Sequence, residues 1–421
     1  MALAALVSGC GAGQRHARPA ASGPRSPATH ARAPRPAPPP RALAIGLTEA
    51  NPDLLWAPQA RAHVPAGLQL WRERLLALRP DYVRIHVDWS QVQPRADTPP
   101  RWDAPQSGCQ RGEPPCVPYR GIAEELAAIA SEQRVQSGFV PVVDLSGVPA
   151  WAARGPSGCE PPGIQPRSRA IAPTAIPAYR ALISSLLELG RRYGLALPYW
   201  SPWNEPNHPF FLSPQRARCS RAAPTVSPHI YAELVRAMAS ELAAAPGEHH
   251  LVLGELAGIP HSGGPHSTGI PEFVRALPRD VVCASNLWAV HDYARAGGAA
   301  GAPDSVRRLE RALAERAACA RHARIWITET GDGSPHLGHA RSAVPRDRRA
   351  GCRALAGALV RWSRDSRVKA VFQYTFREDS AFPVGLADER LTALRPAYYL
   401  WSEWARAPSR KDPPGPPAQC A

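Results

Sequence analysis

The sequence predicts an α/β protein of the (β/α)8 barrel class, and three observations support this prediction. From residue 42 onward, short β-rich runs alternate with longer stretches in which apolar residues recur at helical spacing, such as Leu355, Leu359 and Trp362. Eight β-rich runs occur, which is the strand number of this barrel. The 421 residues are 44% hydrophobic and 20% charged, so they suffice for one large barrel with long loops or for two ordinary domains.

Taken in order, the β-rich runs place strands at 43–48, 82–88, 139–144, 197–203, 251–255, 287–293, 324–328 and 370–376. The amphipathic stretches between them predict helices at 121–136, 175–193, 227–245, 303–319 and 349–365. Two doubly wound domains are the alternative, but no glycine-rich GxGxxG turn follows an early strand. We therefore expect one barrel over 42–408, preceded by a separate segment over 1–41 and followed by a proline-rich tail over 409–421.

The chain is basic, with 50 lysines and arginines against 35 acidic residues and a net charge of +15. Almost all of the basic residues are arginine, a bias that a GC-rich genome also produces. Nothing in the sequence resembles a nucleic-acid-binding module, so we expect no nucleic-acid partner. No run reaches the roughly 18 apolar residues that a membrane-spanning helix needs.

The N-terminal segment has the pattern of an exported protein. Val7-Ser8-Gly9-Cys10 resembles the lipobox of bacterial lipoproteins, which implies export and a lipid anchor on Cys10. The alternative is an ordinary alanine-rich tail. Residues 11–41 are rich in proline and arginine and predict an extended tether. We expect the protein in the cell envelope or outside the cell.

The cysteines agree with export. Of nine cysteines, eight remain when Cys10 is set aside, an even number that favours disulfides over buried free thiols in an exported chain. Cys109 and Cys116 bracket a short loop that one disulfide would close. Cys159 with Cys219 is the second predicted pair, because both lie in loops expected on one face of the barrel. No two cysteines have CxxC spacing, so we expect no metal site.

Polar side chains collect near the C-terminal ends of the predicted strands, where barrel enzymes have their active sites. By alternation along a strand, Arg84 and His86 share one face with Asp88. The same alternation predicts two further shared faces, made of Ser201, Trp203 and Glu205 and of Ile325, Ile327 and Glu329.

Two of these residues form a pair of carboxylates. Glu205 in WNEPN (203–207) and Glu329 in ITETG (327–331) end the fourth and seventh predicted strands, which lie across the barrel mouth from each other. Two carboxyl groups about 5–5.5 Å apart are the arrangement of a retaining glycosidase. In such an enzyme one carboxylic acid protonates the leaving oxygen, and the other carboxylate attacks the anomeric carbon.

With these segments, and with YVRIHVDW at 82–89 and AVHDY at 289–293, the sequence resembles the clan A glycoside hydrolases. These are retaining barrel enzymes with catalytic glutamates on strands four and seven. The resemblance implies that Glu205 is the acid/base and Glu329 the nucleophile. It also implies a carbohydrate substrate, a β-linked glycan or glycoside, that is hydrolysed by a monomer without cofactor or metal.

The same resemblance implies how the surrounding residues act. Asn204 would bind the sugar 2-hydroxyl, Arg84 and Tyr293 would keep Glu329 ionised, and His291 would line the site. Candidates to stack against the sugar ring are Trp89, Trp151, Trp203 and Tyr374.

Two strand ends depart from the clan pattern. Tyr374 stands on strand eight, where many members have tryptophan, and Asp144 on strand three, where many have histidine. We expect Glu49, Asp144 and Glu255, which also end strands, to be structural or subsite residues. A carbohydrate-binding barrel without catalysis and a transglycosylase using the same site are the alternative functions.

Overall fold

The computed structural model describes residues 43–49, 54, 66–104, 121–260, 264–293, 304–333, 339–379, 381–407 and 413–421. The predicted segment 1–41 with Cys10 and the predicted Cys109–Cys116 pair lie outside these residues.

The strands form one parallel sheet with the topology of a barrel. They are β1 (Ala44–Glu49), β2 (Tyr82–Asp88), β3 (Val140–Ser146), β4 (Tyr199–Ser201), β5 (His250–Leu251), β6 (Leu253–Leu256), β7 (Leu287–His291), β8 (Arg324–Thr330) and β9 (Val368–Tyr374). Their order is β5-β4-β3-β2-β1-β9-β8-β7-β6. Because only Val252 separates β5 from β6, the two ends of this order are consecutive pieces of one strand. The nine segments therefore occupy eight strand positions, and the predicted (β/α)8 barrel is confirmed.

Helices follow the strands in the alternation that the sequence predicts. They are α1 (Ala66–Ala77), α2 (Trp89–Val92), α3 (Gly121–Val135), α4 (Ile176–Arg192), α5 (Ser227–Ala244), α6 (Ile270–Ala276), α7 (Arg279–Val282), α8 (Ser305–Arg316), α9 (Pro345–Arg364) and α10 (Pro396–Arg406). At least one helix follows each of the eight strand positions, as parallel strands require. Among the described residues, no helix combines the length and the apolar character that crossing a membrane requires.

Aromatic side chains fill the barrel interior toward the N-terminal ends of the strands. Trp326 packs against Tyr82, Tyr199 and Phe372, with ring centroids 4.7, 4.8 and 5.8 Å away. Gly46 of β1 faces the same layer, and a Cβ at this position would lie 2.2 Å from the ring of Phe372. This layer fills the barrel interior at its N-terminal end, opposite the end at which barrel enzymes have their active sites.

Among the described residues, three disulfides join segments that are distant in sequence: Cys159–Cys219, Cys283–Cys319 and Cys352–Cys420. The first confirms the predicted pair and links the loop after β3 to the loop after β4, both at the C-terminal end of the barrel. The third bonds Cys420, in the predicted C-terminal tail, to α9. Arg353 also donates a hydrogen bond to the carbonyl oxygen of Cys420 at 2.7 Å.

The interior layer predicts the effect of adding one methyl group. Gly46→Ala should lower the free energy of unfolding by about 1–3 kcal/mol, because its Cβ overlaps a ring that Tyr82 and Trp326 hold in place. Gly67→Ala is the control, since no atom lies within 4 Å of its Cβ. The control should leave stability unchanged or raise it by up to about 1 kcal/mol. Urea unfolding measures both, and equal effects would contradict this account.

Candidate active site

Glu329 reaches the barrel mouth through a bulge in β8. Val290 of β7 pairs with Ile327, whereas the next residue, His291, pairs with Glu329, so Thr328 is one residue more than β7 can match. A bulge of this kind turns the side chains that follow it. The expectation that Ile325 and Ile327 share the face of Glu329 is therefore wrong. Both isoleucines belong to the main hydrophobic core, whereas Trp326 between them lies in the barrel interior.

Glu205 lies beyond the end of its strand. The strand predicted over 197–203 is shorter in the structure and ends at Ser201, so alternation does not place Glu205. Two hydrogen bonds do so: the Asn204 N–H donates to the Leu145 carbonyl oxygen at 2.9 Å, and the Glu205 N–H donates to the Glu255 carbonyl oxygen at 3.0 Å. The φ angle of Glu205 is +39°, in the left-handed region that non-glycine residues rarely adopt.

Glu255 enters the site through a second bulge. Leu253 pairs with Trp288 and Leu256 with Val290, so β6 has one residue more than β7 between these pairs. The extra residue is accommodated by Gly254 and Glu255, whose φ angles are +97° and +50°. A Cβ on residue 254 would lie 2.6 Å from the Ala289 carbonyl oxygen, which explains the glycine. Glu255 is fully buried, and its carboxylate faces the other charged groups.

Arg84, from β2, is the fixed cation of the site. Its Nη1 lies 2.9 Å from Oε1 of Glu329, and its Nη2 donates to Oδ1 of Asn204 at 2.7 Å. The same Nη2 lies 3.0 Å from Oδ2 of Asp144 and 3.1 Å from Oε2 of Glu255. Burial alone would lower the pKa of Arg84, but the three carboxylates outweigh it and raise that pKa above its ordinary value. The guanidinium therefore stays charged.

His291, at the end of β7, connects three carboxylates. Its Nδ1 lies 2.7 Å from Oε1 of Glu205 and 3.3 Å from Oε2 of Glu329, and its Nε2 lies 3.0 Å from Oε2 of Glu255. Burial on its own lowers the pKa of His291. The charge of Glu329 and the hydrogen bonds to Glu205 and Glu255 outweigh burial and raise this pKa to about 10. The ring is thus a second cation at neutral pH.

The two glutamates predicted to react lie close together. One carboxylate oxygen of each, with a ring nitrogen of His291, lies within 4.8 Å of the others. Donor atoms this close could share a cation, but the protein's own cations, Arg84 and His291, already contact these carboxylates. Tyr293 donates its hydroxyl hydrogen to Oε2 of Glu329 at 2.8 Å.

The pKa values of the two glutamates move in opposite directions. Burial raises the pKa of Glu329, and the charges of His291 and Arg84 offset this effect only in part. Burial also acts on Glu205, but the hydrogen bond and charge of His291 outweigh it and lower the pKa of Glu205. Of the two glutamates, Glu329 therefore binds a proton more readily than Glu205. This is the reverse of what an acid at Glu205 and a nucleophile at Glu329 require.

His86 is a site residue that the sequence analysis placed on the face of Arg84 without assigning it a role. Its Nδ1 lies 2.7 Å from Oδ2 of Asp144, and its Nε2 lies 2.8 Å from Oγ of Ser146. The side chain is 27% exposed, whereas Asp144 is buried. His86 therefore lies beside the end of strand three, where the clan pattern has a histidine, although it comes from strand two.

The aromatic residues divide into core and site. Trp89 and Trp203 are fully buried, and their indole N–H groups donate to Gln93 and to the Phe211 carbonyl oxygen. Neither offers a ring face for stacking, so the expectation for these two is wrong. Trp151 and Tyr374 are partly exposed. Phe382, which sequence reasoning missed because it lies in a loop, contacts Tyr293 and Tyr374 edge-on, with ring centroids 5.2 and 5.6 Å away.

No protein-family model matches the sequence, and no curated protein matches it. The fold does match solved structures. The chain is similar to a family 39 glycoside hydrolase from Bacteroides cellulosilyticus WH2, with a TM-score of 0.50 and 18% identity over 87% of this chain and 64% of that one. It thus spans less than two thirds of that structure.

Two further structures share the fold. One is a GH5_18 protein from Streptomyces cattleya solved with GlcNAc, with a TM-score of 0.52 and 17% identity over 90% of this chain and 83% of that one. The other is a monomeric beta-xylosidase from Caulobacter crescentus CB15, with a TM-score of 0.52 and 15% identity over 88% and 69%. At these identities the comparisons establish a common fold.

The contacts of Arg84 predict its effect on stability. Arg84→Met should lower the free energy of unfolding by at least about 3 kcal/mol, because it leaves buried carboxylates without their cation. Arg180→Met is the control: Arg180 pairs with Glu241 at 2.6 Å on the surface, with 44% of its side chain exposed. The control should cost less than about 1 kcal/mol. Chemical unfolding at pH 7 compares them, and a small loss for Arg84→Met would rule out its central role.

Proposed function

We propose that this protein is a retaining glycoside hydrolase that cleaves a β-linked glycan or glycoside. The observation that carries the proposal is the pair formed by Glu205 and Glu329, whose nearest oxygens lie within 4.8 Å at the C-terminal end of the barrel. This separation suits direct attack by one carboxylate, because the inverting mechanism needs about 6.5–9.5 Å to admit a water molecule.

Glu329 is the proposed nucleophile. Its carboxylate oxygen attacks the anomeric carbon and forms a glycosyl ester while the bond to the leaving oxygen breaks. Arg84 and Tyr293 contact one carboxylate oxygen each, which holds the group in a fixed orientation. Burial and the nearby Glu329 charge raise the pKa of Tyr293 well above its ordinary value, so its hydroxyl remains a donor.

Glu205 is the proposed acid and base. It gives its proton to the leaving oxygen in the first step, and it takes a proton from the attacking water in the second. The unliganded preference for a proton on Glu329 reverses as the reaction proceeds. Positive charge develops at the anomeric carbon beside Glu329 and favours its ionised form, while negative charge on the leaving oxygen favours a protonated Glu205.

Several side chains are proposed to bind the sugar. Asn204 accepts a hydrogen bond from Arg84 through Oδ1, which leaves its NH2 group to donate to the 2-hydroxyl of the sugar. His86, Trp151 and Tyr374 are at least partly exposed and are proposed to contact the substrate. The beta-xylosidase and the GlcNAc complex among the structural neighbours support a saccharide ligand of this general class.

We place the protein in the cell envelope or outside the cell. Three disulfides are typical of an oxidising compartment, and the lipobox-like sequence before Cys10 would provide a lipid anchor. In this arrangement residues 11–41 are a tether, residues 42–408 form the catalytic barrel and the chain acts as a monomer.

Substitution of either glutamate tests the reaction. Glu329→Gln should abolish turnover of aryl β-glycosides, because an amide cannot form the glycosyl ester. Glu205→Gln should lower kcat by about 10²–10⁴-fold. Glu241→Gln, on the surface of α5, should retain wild-type activity. NMR of the first-formed product should show the β-anomer.

The outcomes separate the alternatives. Turnover by Glu329→Gln, or an inverted product, would overturn the assignment. Glycan binding without hydrolysis by the wild-type protein would identify a binding barrel instead. Predominant transfer to an added acceptor sugar would identify a transglycosylase using the same residues.

A further inference from the structure

Glu255 lies at the centre of the site and has no part in the proposed reaction steps. Its side chain is completely buried, and Oε2 meets His291 at 3.0 Å, Arg84 at 3.1 Å and the hydroxyl of Thr328 at 2.6 Å. Its own carbonyl oxygen accepts the N–H of Glu205. One residue thus contacts both the backbone of the proposed acid and the histidine that binds the carboxylate of that acid.

We infer that Glu255 is a positioning residue that, through His291, sets the protonation of Glu205. The inference rests on the proposed function, because Glu205 is the acid there. Glu255 binds Nε2 of the ring, which leaves Nδ1 directed at Glu205 Oε1, 2.7 Å away. The three side chains form a chain of two hydrogen bonds with Glu205 at one end and a buried carboxylate at the other.

The proton transfer that this chain permits is balanced. The proton on Nδ1 of His291 moves to Oε1 of Glu205, the ring becomes neutral, and Nε2 keeps its proton in the hydrogen bond to Glu255. Glu205 then holds the proton that the leaving oxygen receives. In the second step, the proton that Glu205 takes from water returns to Nδ1, so the chain is restored after each turnover.

A purely structural role does not account for the arrangement of Glu255. Its φ angle of +50° is strained for a residue with a side chain, and a buried carboxylate is costly unless cations face it. The pKa of Glu255 is nevertheless lowered, because the charges of Arg84 and His291 outweigh burial. An apolar side chain would have the same backbone strain but would avoid the cost of burying a charge. The charge of Glu255 therefore has a role beyond filling space, and the titratable group that its carboxylate contacts is His291.

Other charged and titratable groups also face this chain and contribute to its titration. From the neighbouring elements they are Arg84 of β2, Asp144 of β3, His208 of the loop after β4, Tyr231 of α5, Tyr293 after β7 and Glu329 of β8. Glu255→Gln removes one negative charge and leaves these groups in place. The change therefore isolates the charge of Glu255 at nearly constant shape.

The test combines kinetics at two leaving groups with a pH profile. With Glu255→Gln, the alkaline limb of kcat/KM should move to lower pH by about one unit or more, because His291 loses a neighbouring negative charge. At pH values above the shifted limb, kcat should fall by up to about 10²-fold for alkyl β-glycosides, which need a proton donor, and less for nitrophenyl β-glycosides, which need little acid assistance. Glu255→Asp keeps the charge and should keep the alkaline limb near its wild-type position.

Glu132→Gln is the matched control. Glu132 is buried and paired with Arg72, away from the site, so this change also removes one carboxylate from a buried ion pair. It should lower stability without moving the alkaline limb or the ratio of activities on the two substrates.

If folded Glu255→Gln behaves like this control, the inference is wrong. If Glu255→Gln does not fold, His291→Asn takes its place and should show the same dependence on the leaving group; an unchanged ratio would overturn the inference.

A measurement without turnover separates this inference from the proposed function. NMR of ¹⁵N-labelled histidine should show that His291 titrates near pH 10 in the wild-type protein. Glu255→Gln should lower that pKa by about 1–3 units, and Glu132→Gln should leave it unchanged. Absence of glycosidase activity would defeat the proposed function. An unchanged pKa of His291 in Glu255→Gln would overturn the inference that Glu255 acts through His291, whether or not the protein has glycosidase activity.

Discussion

The rest of the site depends on one buried cation, the guanidinium of Arg84. A charge without water around it is stable only when opposite charges and hydrogen bonds surround it, and Arg84 has three carboxylates and one amide oxygen as partners. The same contacts fix Glu329 and Asn204, and the charge of Arg84 helps to lower the pKa of Glu255. The site is therefore one electrostatic unit, in which the loss of one carboxylate charge changes the electrostatic environment of the others.

Irregular backbone brings the three glutamates of the site together at the barrel mouth. Glu329 follows a bulge in β8, Glu255 lies within a bulge in β6, and Glu205 adopts a left-handed conformation beyond the end of β4. In a regular strand, alternation would direct a side chain either into the barrel or toward the helices. An extra residue breaks this alternation and lets neighbouring side chains both enter the mouth. The strained residues are thus concentrated at the barrel mouth, where the carboxylates lie close together. The regular strands below hold these residues in place.

This explains how far the sequence could predict the molecule. Period-two and helical patterns place all eight strand positions, since burial alone determines them, and strand ends locate Glu205, Glu329, Arg84 and Tyr293 at one mouth. Pattern does not reveal bulges, so alternation assigned the wrong neighbours to Glu329 and rated Glu255 as an accessory residue. Nor does it show whether a tryptophan after a strand is covered, and both Trp89 and Trp203 are buried beneath loops whose paths depend on tertiary contacts. Strand ends therefore predict which residues lie at the mouth, whereas the direction and the burial of individual side chains depend on local irregularity and on loops.

The balance of charge in the cluster also fits the chemistry proposed for it. Four carboxyl groups, of Glu205, Glu329, Glu255 and Asp144, face the two cations Arg84 and His291. With all four ionised, the negative charges exceed the positive ones by two, and the uptake of one proton still leaves a net negative charge. An oxocarbenium-like transition state is positive, and fixed negative charge close to it is stabilising. Without the two cations the carboxylates would repel one another and bind protons, and Glu329 could not attack. In the proposed mechanism, Arg84 and His291 thus keep the cluster ionised enough for Glu329 to attack, while the remaining negative charge favours the cationic transition state over the neutral substrate.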